Sequence, residues 1–360
     1  MTVLNFRYHV VSLVAVFLAL AIGVVLGAGP LQRPIGDTLT GQLSEARNSR
    51  DSYKAQVGQL EAKIAGYGKA ASALKADVVT GALTGLRVAV VALPGADGAD
   101  VSAATAILGE AGAEVVAQVN VNPSFTDPAT NTYRTTFAGQ LRAYLEPKVG
   151  AEATTEQIFA LALAQVLTSS TENAVTVAAF LEATETPFVS LPQAATGAAH
   201  SIVVVGPRSQ EDLAAALGNP DAESLKLHSN YLVALASGLG QAGLGGMVLG
   251  DASTDASLVT RLRNSGDAVS TLDAVGTDFS TVFTPRVLAA SLSSKHGAYG
   301  VEASATEGLP LAGALPALPE LGASVLSPST GVQPGASAPA PAPSAQPTGQ
   351  DAQPSPSTSN

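Results

Sequence analysis

Hydrophobic positions along this chain change their spacing three times, and each change marks a different kind of element. The first stretch is unbroken. No Asp, Glu, Lys or Arg stands between Arg7 and Arg33, and residues 10–28 are apolar apart from Ser12 and glycines. A helix needs about 20 apolar residues to cross a bilayer core of about 30 Å. The run therefore predicts a transmembrane helix over residues 9–29 behind a short leader, 1–8. A cleaved signal peptide is the competing reading, although its apolar region normally covers only about 7–15 residues. Within the run Ala15, Ala19, Gly23 and Gly27 recur every fourth position. On a helix they share a face along which two backbones can approach closely.

The second spacing begins at Leu39. Leu39, Leu43, Ala46, Arg50, Tyr53, Val57, Leu60, Ile64, Tyr67, Ala71, Leu74 and Val78 are separated alternately by four and three residues. This 3.5-residue average is the signature of a left-handed coiled coil. A plain amphipathic helix would show a wider, shorter stripe. The expectation is a coiled-coil stalk over 36–80 that continues the small-residue membrane face into a parallel dimer. Arg50 is its one charged seam residue, a candidate for fixing register. Gly58, Gly66 and Gly68 each cost about 1 kcal/mol of helix propensity against alanine, which predicts a frayed or bent distal half.

The third pattern is short aliphatic runs alternating with helical stretches. Strands are predicted near 86–93, 114–121, 201–206, 246–250 and 268–275. Helices are predicted near 101–111, 133–145, 155–167, 174–181, 222–239 and 257–264, with a last one ending near 293. Alternation of this kind predicts a Rossmann-like α/β domain with a mainly parallel sheet over 86–305. From 306 to 360 Pro, Ala, Ser, Gly and Gln prevail, a composition expected to form a disordered tail.

Charge and composition narrow the function classes. The net charge of −11, from 18 basic and 29 acidic residues, argues against nucleic acid as a partner, because phosphate binding relies on clustered Lys and Arg. Cysteine is absent, which excludes disulfides, thiolate metal sites and thiol catalysis. Only Arg7 and the terminal amine precede the apolar run, so the charge signal for orientation is thin. A leader of eight residues is too short for a domain, which favours the leader inside and the α/β domain outside the cell membrane, with a single pass.

Catalytic motifs are missing, and an enzyme is not expected. The run Gly238-Leu-Gly240-Gln-Ala-Gly243 formally matches a dinucleotide fingerprint, but a helix precedes it and a strand follows, the reverse of what that motif needs. It reads as a helix terminator and loop. Asp97, in the loop after the first strand, and Asp251, just past a strand end, sit where α/β folds bind ligands, and are ligand-pocket candidates. Asp251 equally suits a cap or turn. Asp100 is predicted to cap the helix that follows, and Ser209 to cap another. The four histidines are His9, His200, His228 and His296, none three or four residues from another. A metal site would have to be assembled across the fold from His200, His228 and Met247. His296 reads as the end of a helix capped by Gly297. No other cofactor is indicated.

The N-terminal run FRYHVVSLVAVFLALAIGVVLGAGPL, its continuation PIGDTLTGQ and the later HGAYG resemble the actinobacterial MctB family of copper-transport-associated envelope proteins. The resemblance covers residues 2–305 in layout. It implies one N-terminal membrane segment, a coiled coil, an α/β outer domain and a role in copper homeostasis, with channel or efflux activity and an outer-membrane placement described for the family. Copper enters only through it. Two functions follow as expectations: a dimeric accessory of copper transport, or a coiled-coil membrane adaptor that recruits or regulates cell-wall or division enzymes. Either would bring an envelope protein partner.

Overall fold

The computed structural model describes residues 3–28, 32–182, 187–310 and 315–326. Two long helices come first, α1 (Val3–Ala28) and α2 (Gln32–Val79). The span Phe6–Val25 of α1 is long and apolar enough to cross a membrane, with a mean hydropathy of 2.4 and none of it buried against the rest of the chain. In α2 the helix runs through Gly58, Gly66 and Gly68 without a break, contrary to the expected fraying. One local reason is packing. The end of α2 lies along the last helix of the domain, where a Cβ on Gly68 would come within 3.1 Å of the Asp278 carboxylate, so tertiary contact offsets the propensity cost there.

The α/β domain follows as β1 (Arg87–Ala92), α3 (Gly98–Glu110), β2 (Glu114–Val121), α4 (Asn131–Leu141), α5 (Thr155–Thr168) and α6 (Glu172–Glu182). It continues as β3 (Val189–Ser190), β4 (Ser201–Val205), α7 (Gln210–Ala216), α8 (Ala222–Gly240) and β5 (Met247–Leu249). The last elements are α9 (Leu258–Ser265), β6 (Ser270–Leu272), α10 (Asp278–Leu292) and β7 (Ala298–Tyr299). Among the described residues seven strands lie in the order β3-β2-β1-β4-β5-β6-β7, and every pair is parallel except β2 with β3. The five expected strands are all present. The edges β3 and β7, two residues each, are too short to leave a hydrophobic period.

Alternate residues of a strand face opposite layers, and β1 divides accordingly. Ala89 and Val91 join Ile202, Val204 and the helices α5 and α8, while Val88 and Val90 join Val203, Val205, α3 and α10. The β-branched, aliphatic strands are thus buried on both faces, as a parallel sheet requires. Close helix packing depends on glycine at Gly238, where a Cβ would lie 2.5 Å from that of Ala160 on α5. Three helices on which this packing rests start on side-chain caps: Thr154 and Gln157 form a reciprocal capping box on α5, Asp221 caps α8 and Thr277 caps α10.

Two cap assignments are corrected. Asp97, rather than Asp100, is the N-cap of α3, accepting from the Ala99 N–H at 2.8 Å; Asp100 is drawn away to an arginine described below. After α10 the left-handed residue is Ser294, with φ 58°, and not Gly297. Gly297 is needed for another reason, since a Cβ there would press on Tyr299 and Glu307.

The C-terminal region also departs from its composition. Residues 315–326, grouped with the tail by sequence, lie along the amino-terminal edge of the sheet. Leu315 and Leu318 pack on the core layer of α3 and α10, Leu326 is buried in the other layer, and Arg87 donates to the Leu321 and Gly322 carbonyls. Three well-spaced leucines and the Arg87 bonds hold this strap. The tail expected beyond it, 327–360, lies outside the described residues.

Candidate functional site

The sheet order turns around between β1 and β4, and the crevice outside the carboxyl ends of these strands is where doubly wound folds place ligands. Asp97 lines a cavity of about 410 Å³ there, with Gly95, Arg208 and Asp212. Arg208, in the loop from β4 to α7, meets the first turn of α3 through two bonds to Asp100, Nε at 2.7 Å and Nη2 at 2.8 Å, and lies 3.1 Å from Asp97. The hydrogen-bonded Asp100 holds the Arg208 pKa above its ordinary value against the opposing effect of burial. Gly276 makes room for this guanidinium, since a Cβ there would lie 2.5 Å from Nε. The cation is therefore already neutralised, and the remaining wall is acidic. An anionic phosphate gains little here, which separates this crevice from a dinucleotide site.

Asp251, the other pocket candidate, does not face that cavity. It follows β5, is buried, and turns its carboxylate onto the Ser253 N–H (2.9 Å) and the Ser257 hydroxyl. It organises the turn into α9. Beyond it, at the ends of β6 and β7, Asp273 is fully buried and accepts from Arg263 Nη1 (3.1 Å), Val301 N–H (2.7 Å) and Glu302 N–H (3.2 Å). Arg263 also donates to Thr271, Ser304 and the Tyr299 carbonyl. This network gives the HGAYG stretch a structural meaning: the chain passes so close to Asp273 at Gly300, with φ 144°, that any Cβ would overlap the carboxylate. Burial, helped by the charges of Asp273 and Asp251, pushes the Glu302 carboxyl above its usual range.

The three residues considered for a metal are not brought together. His200 precedes β4 at the amino-terminal edge, accepts the Arg87 N–H on Nδ1 (2.9 Å) and so presents Nε2–H to the Pro319 carbonyl (2.9 Å). One nitrogen is tied to β1 and the other to the strap, so neither is left for a metal. Met247 starts β5 inside the core layer of α3 and α10. His228 is twelve residues before the end of α8, about 18 Å along the helix. Among the described residues no group of three or more His, Cys, Asp or Glu could hold a metal ion.

His228 has surroundings of its own. It lines a crevice of about 520 Å³ between the loop after β2 and the start of α8, together with Ser124, Asp127 and Ser224. Thr126, fully buried, bonds its Nδ1 at 2.7 Å. Burial lowers the His228 pKa, Asp127 counters this, and Arg134 adds to it. Arg134 braces the same loop: buried, it stacks 4.3 Å over the Tyr231 ring and donates to the Phe125 carbonyl at 2.7 Å. Sequence reasoning missed Arg134, Arg208 and Arg263, each of which bonds to residues outside its own element, up to 108 residues away. The one available signal was their scarcity in so acidic a chain.

The candidate dimer-interface residues lie on the two long helices. Ala15, Ala19 and Gly23 on α1, and Leu43, Tyr53, Val57, Leu60, Ile64, Tyr67 and Leu74 on α2, are all exposed, while the side chains of Gly27 and Leu39 fall outside those described. The apolar stripe of α2 runs into the domain at its end: Ala71 is buried and Val78 partly so, against the layer containing α10.

The family model described as "Copper transport outer membrane protein, MctB" matches residues 3–310, both long helices and almost all of the α/β domain. This chain belongs to the MctB family. Three curated relatives, from Mycobacterium bovis and two strains of Mycobacterium tuberculosis, are each named "Copper transporter MctB" and are 32% identical over 124 residues. That alignment takes in 34% of this chain and 40% of each relative, so the chain spans two-fifths of the length of the curated relatives it matches. The copper-related membrane character of MctB proteins fits the apolar α1.

Proposed function

We infer that this MctB-family chain is a membrane-anchored accessory of copper handling in the cell envelope, working as a parallel dimer rather than as the copper conduit. The observation that carries the reading is architectural. A strand-built pore closes its sheet into a barrel with alternating lipid-facing and lumen-facing residues, whereas the seven strands here form an open sheet buried on both faces by helices. Among the described residues α1 is the one helix long and apolar enough to span a membrane, and one such helix, even paired, offers no polar lumen. The small-residue face of α1 and the exposed stripe of α2 from Leu43 to Ile64 support pairing of two copies in the same direction. The α/β domain then stands outside the membrane at the end of the stalk, and no catalytic step is assigned to it.

Copper tolerance of a deletion strain tests this reading. Loss of tolerance restored by the wild-type gene supports it, and full tolerance without the gene refutes it. Dimer formation is tested by crosslinking in membranes. Gly23→Leu with Gly27→Leu should reduce the crosslinked species several-fold, and unchanged crosslinking removes the membrane-face contact.

The exposed stripe also favours a second reading, a coiled-coil adaptor for cell-wall or division enzymes. A chaining or division phenotype with normal copper tolerance would select it.

A further inference from the structure

The His228 crevice carries chemistry that the network around it does not use up. Thr126 Oγ1 donates to the Pro123 carbonyl (3.2 Å) and therefore accepts Nδ1–H from His228 (2.7 Å). The other ring nitrogen, Nε2, is left with its lone pair, and no described residue hydrogen-bonds to it. A cavity-lining histidine whose N–H is fixed by an oxygen and whose second nitrogen is unbonded has the tautomer of a metal-ligating imidazole. The other groups around that cavity supply oxygen. Asp127 gives one carboxylate oxygen to the Ala129 N–H (2.8 Å) and keeps the other. Ser124 and Ser224 donate to Pro187 and Asp221 and retain acceptor lone pairs. Arg134 is the nearby cation and opposes a positive guest, but it is held by the Phe125 carbonyl, Asn131 and Glu156.

Imidazole nitrogen with carboxylate and hydroxyl oxygen is a borderline donor set, suited to divalent copper or zinc and unsuited to Cu(I), which prefers sulfur. We propose that this crevice binds a divalent transition-metal ion of the Cu(II) class, with His228 Nε2 as the anchoring ligand, Asp127 as the second, and water completing the shell. Two protein ligands make an exchangeable site, fitted to passing an ion on rather than storing it. The choice of copper as probe rests on the copper reading above; the donor set does not.

The test uses the full-length protein in detergent with one equivalent of CuCl2, followed by electron paramagnetic resonance and competition with a chelator. A spectrum with coupling to one imidazole nitrogen is expected. It should vanish in His228→Asn, weaken at least tenfold in affinity in Asp127→Asn, and persist in His296→Asn, a control at an exposed histidine. A nitrogen-coupled signal that survives His228→Asn overturns the proposal. If His228→Asn fails to fold, Asp127→Asn with unchanged affinity overturns it equally. Nitrogen NMR showing Nδ1 as the unprotonated atom removes its basis. Copper tolerance is read separately. Tolerance that needs the gene alongside a signal indifferent to His228 sinks the site alone, whereas a His228-dependent signal in a protein dispensable for tolerance sinks the copper role alone.

Discussion

Replacing Asp273 by asparagine should be among the most damaging single changes in the α/β domain. The carboxylate is fully buried and receives three donors, two on Oδ2 and one on Oδ1. An amide offers one oxygen. If its NH2 takes the Oδ1 position, it faces the Val301 N–H; if it takes Oδ2, it faces Arg263 and the Glu302 N–H. Either way a buried donor loses its acceptor and the Arg263 guanidinium, whose side chain is only 6% exposed, loses its counter-charge. Burial already presses the Arg263 pKa down, with Asp273 opposing. Breaking such a pair from one side costs about 3–5 kcal/mol. Denaturant titration of the full-length protein in detergent, followed by circular dichroism, should show that loss, and the thermal midpoint should fall by on the order of 10 °C. The double variant Arg263→Met with Asp273→Leu should recover part of it, because both charges leave together. An unfolding free energy for Asp273→Asn within about 1 kcal/mol of wild type would refute the argument that this network holds the ends of β6 and β7.

Three further outcomes are expected. The raised pKa of Glu302 means that its favourable contribution is present below the unfolded value of 4.5 and is lost as pH rises through the folded one. Glu302→Gln should therefore stabilise the protein near neutrality, by an amount that shrinks toward pH 4.5; an advantage independent of pH contradicts this. Gly238→Val drives a branched side chain into Ala160 and should cost about 1–3 kcal/mol by overpacking, measured by the same titration, with no loss if α5 and α8 can separate freely. Ending the chain at residue 314 strips Leu318 and Leu326 from both core layers and the carbonyl partner from His200; limited proteolysis should then cut near residue 198 several-fold faster, and an unchanged rate would show the strap to be idle.

Most of the architecture was written in local spacing. The apolar run of α1, the 3.5-residue stripe of α2 and the β-branched runs of β1, β2 and β4 each follow from a period that one window of sequence contains. What was illegible depends on partners distant in the chain. Asp100 looked like a cap because nothing local shows Arg208, 108 residues away, competing for it. The stripe through Ala71 and Val78 continues the seam without a change of period, although its cover there is α10 of the same chain. His200, His228 and Met247 stood as a candidate set because residue type is visible in sequence and separation in the fold is not. Leu315, Leu318 and Leu326 were diluted below notice by proline, alanine and glycine, yet binding to a preformed surface needs few anchors.

The strap has a mechanical consequence. The end of α2 enters the domain beside Leu83 and Leu86, and Leu318 lies near Gly85 at that same place, so α2 and the strap attach to one edge of the sheet. Tension between α1 and anything gripping the chain beyond Leu326 is carried across this edge, by Arg87, His200 and the buried leucines, and bypasses the opposite rim. The crevices of Asp97 and His228 thus lie off the line of force, and a pull that peels the strap would shear the root of the domain before it deformed either cavity.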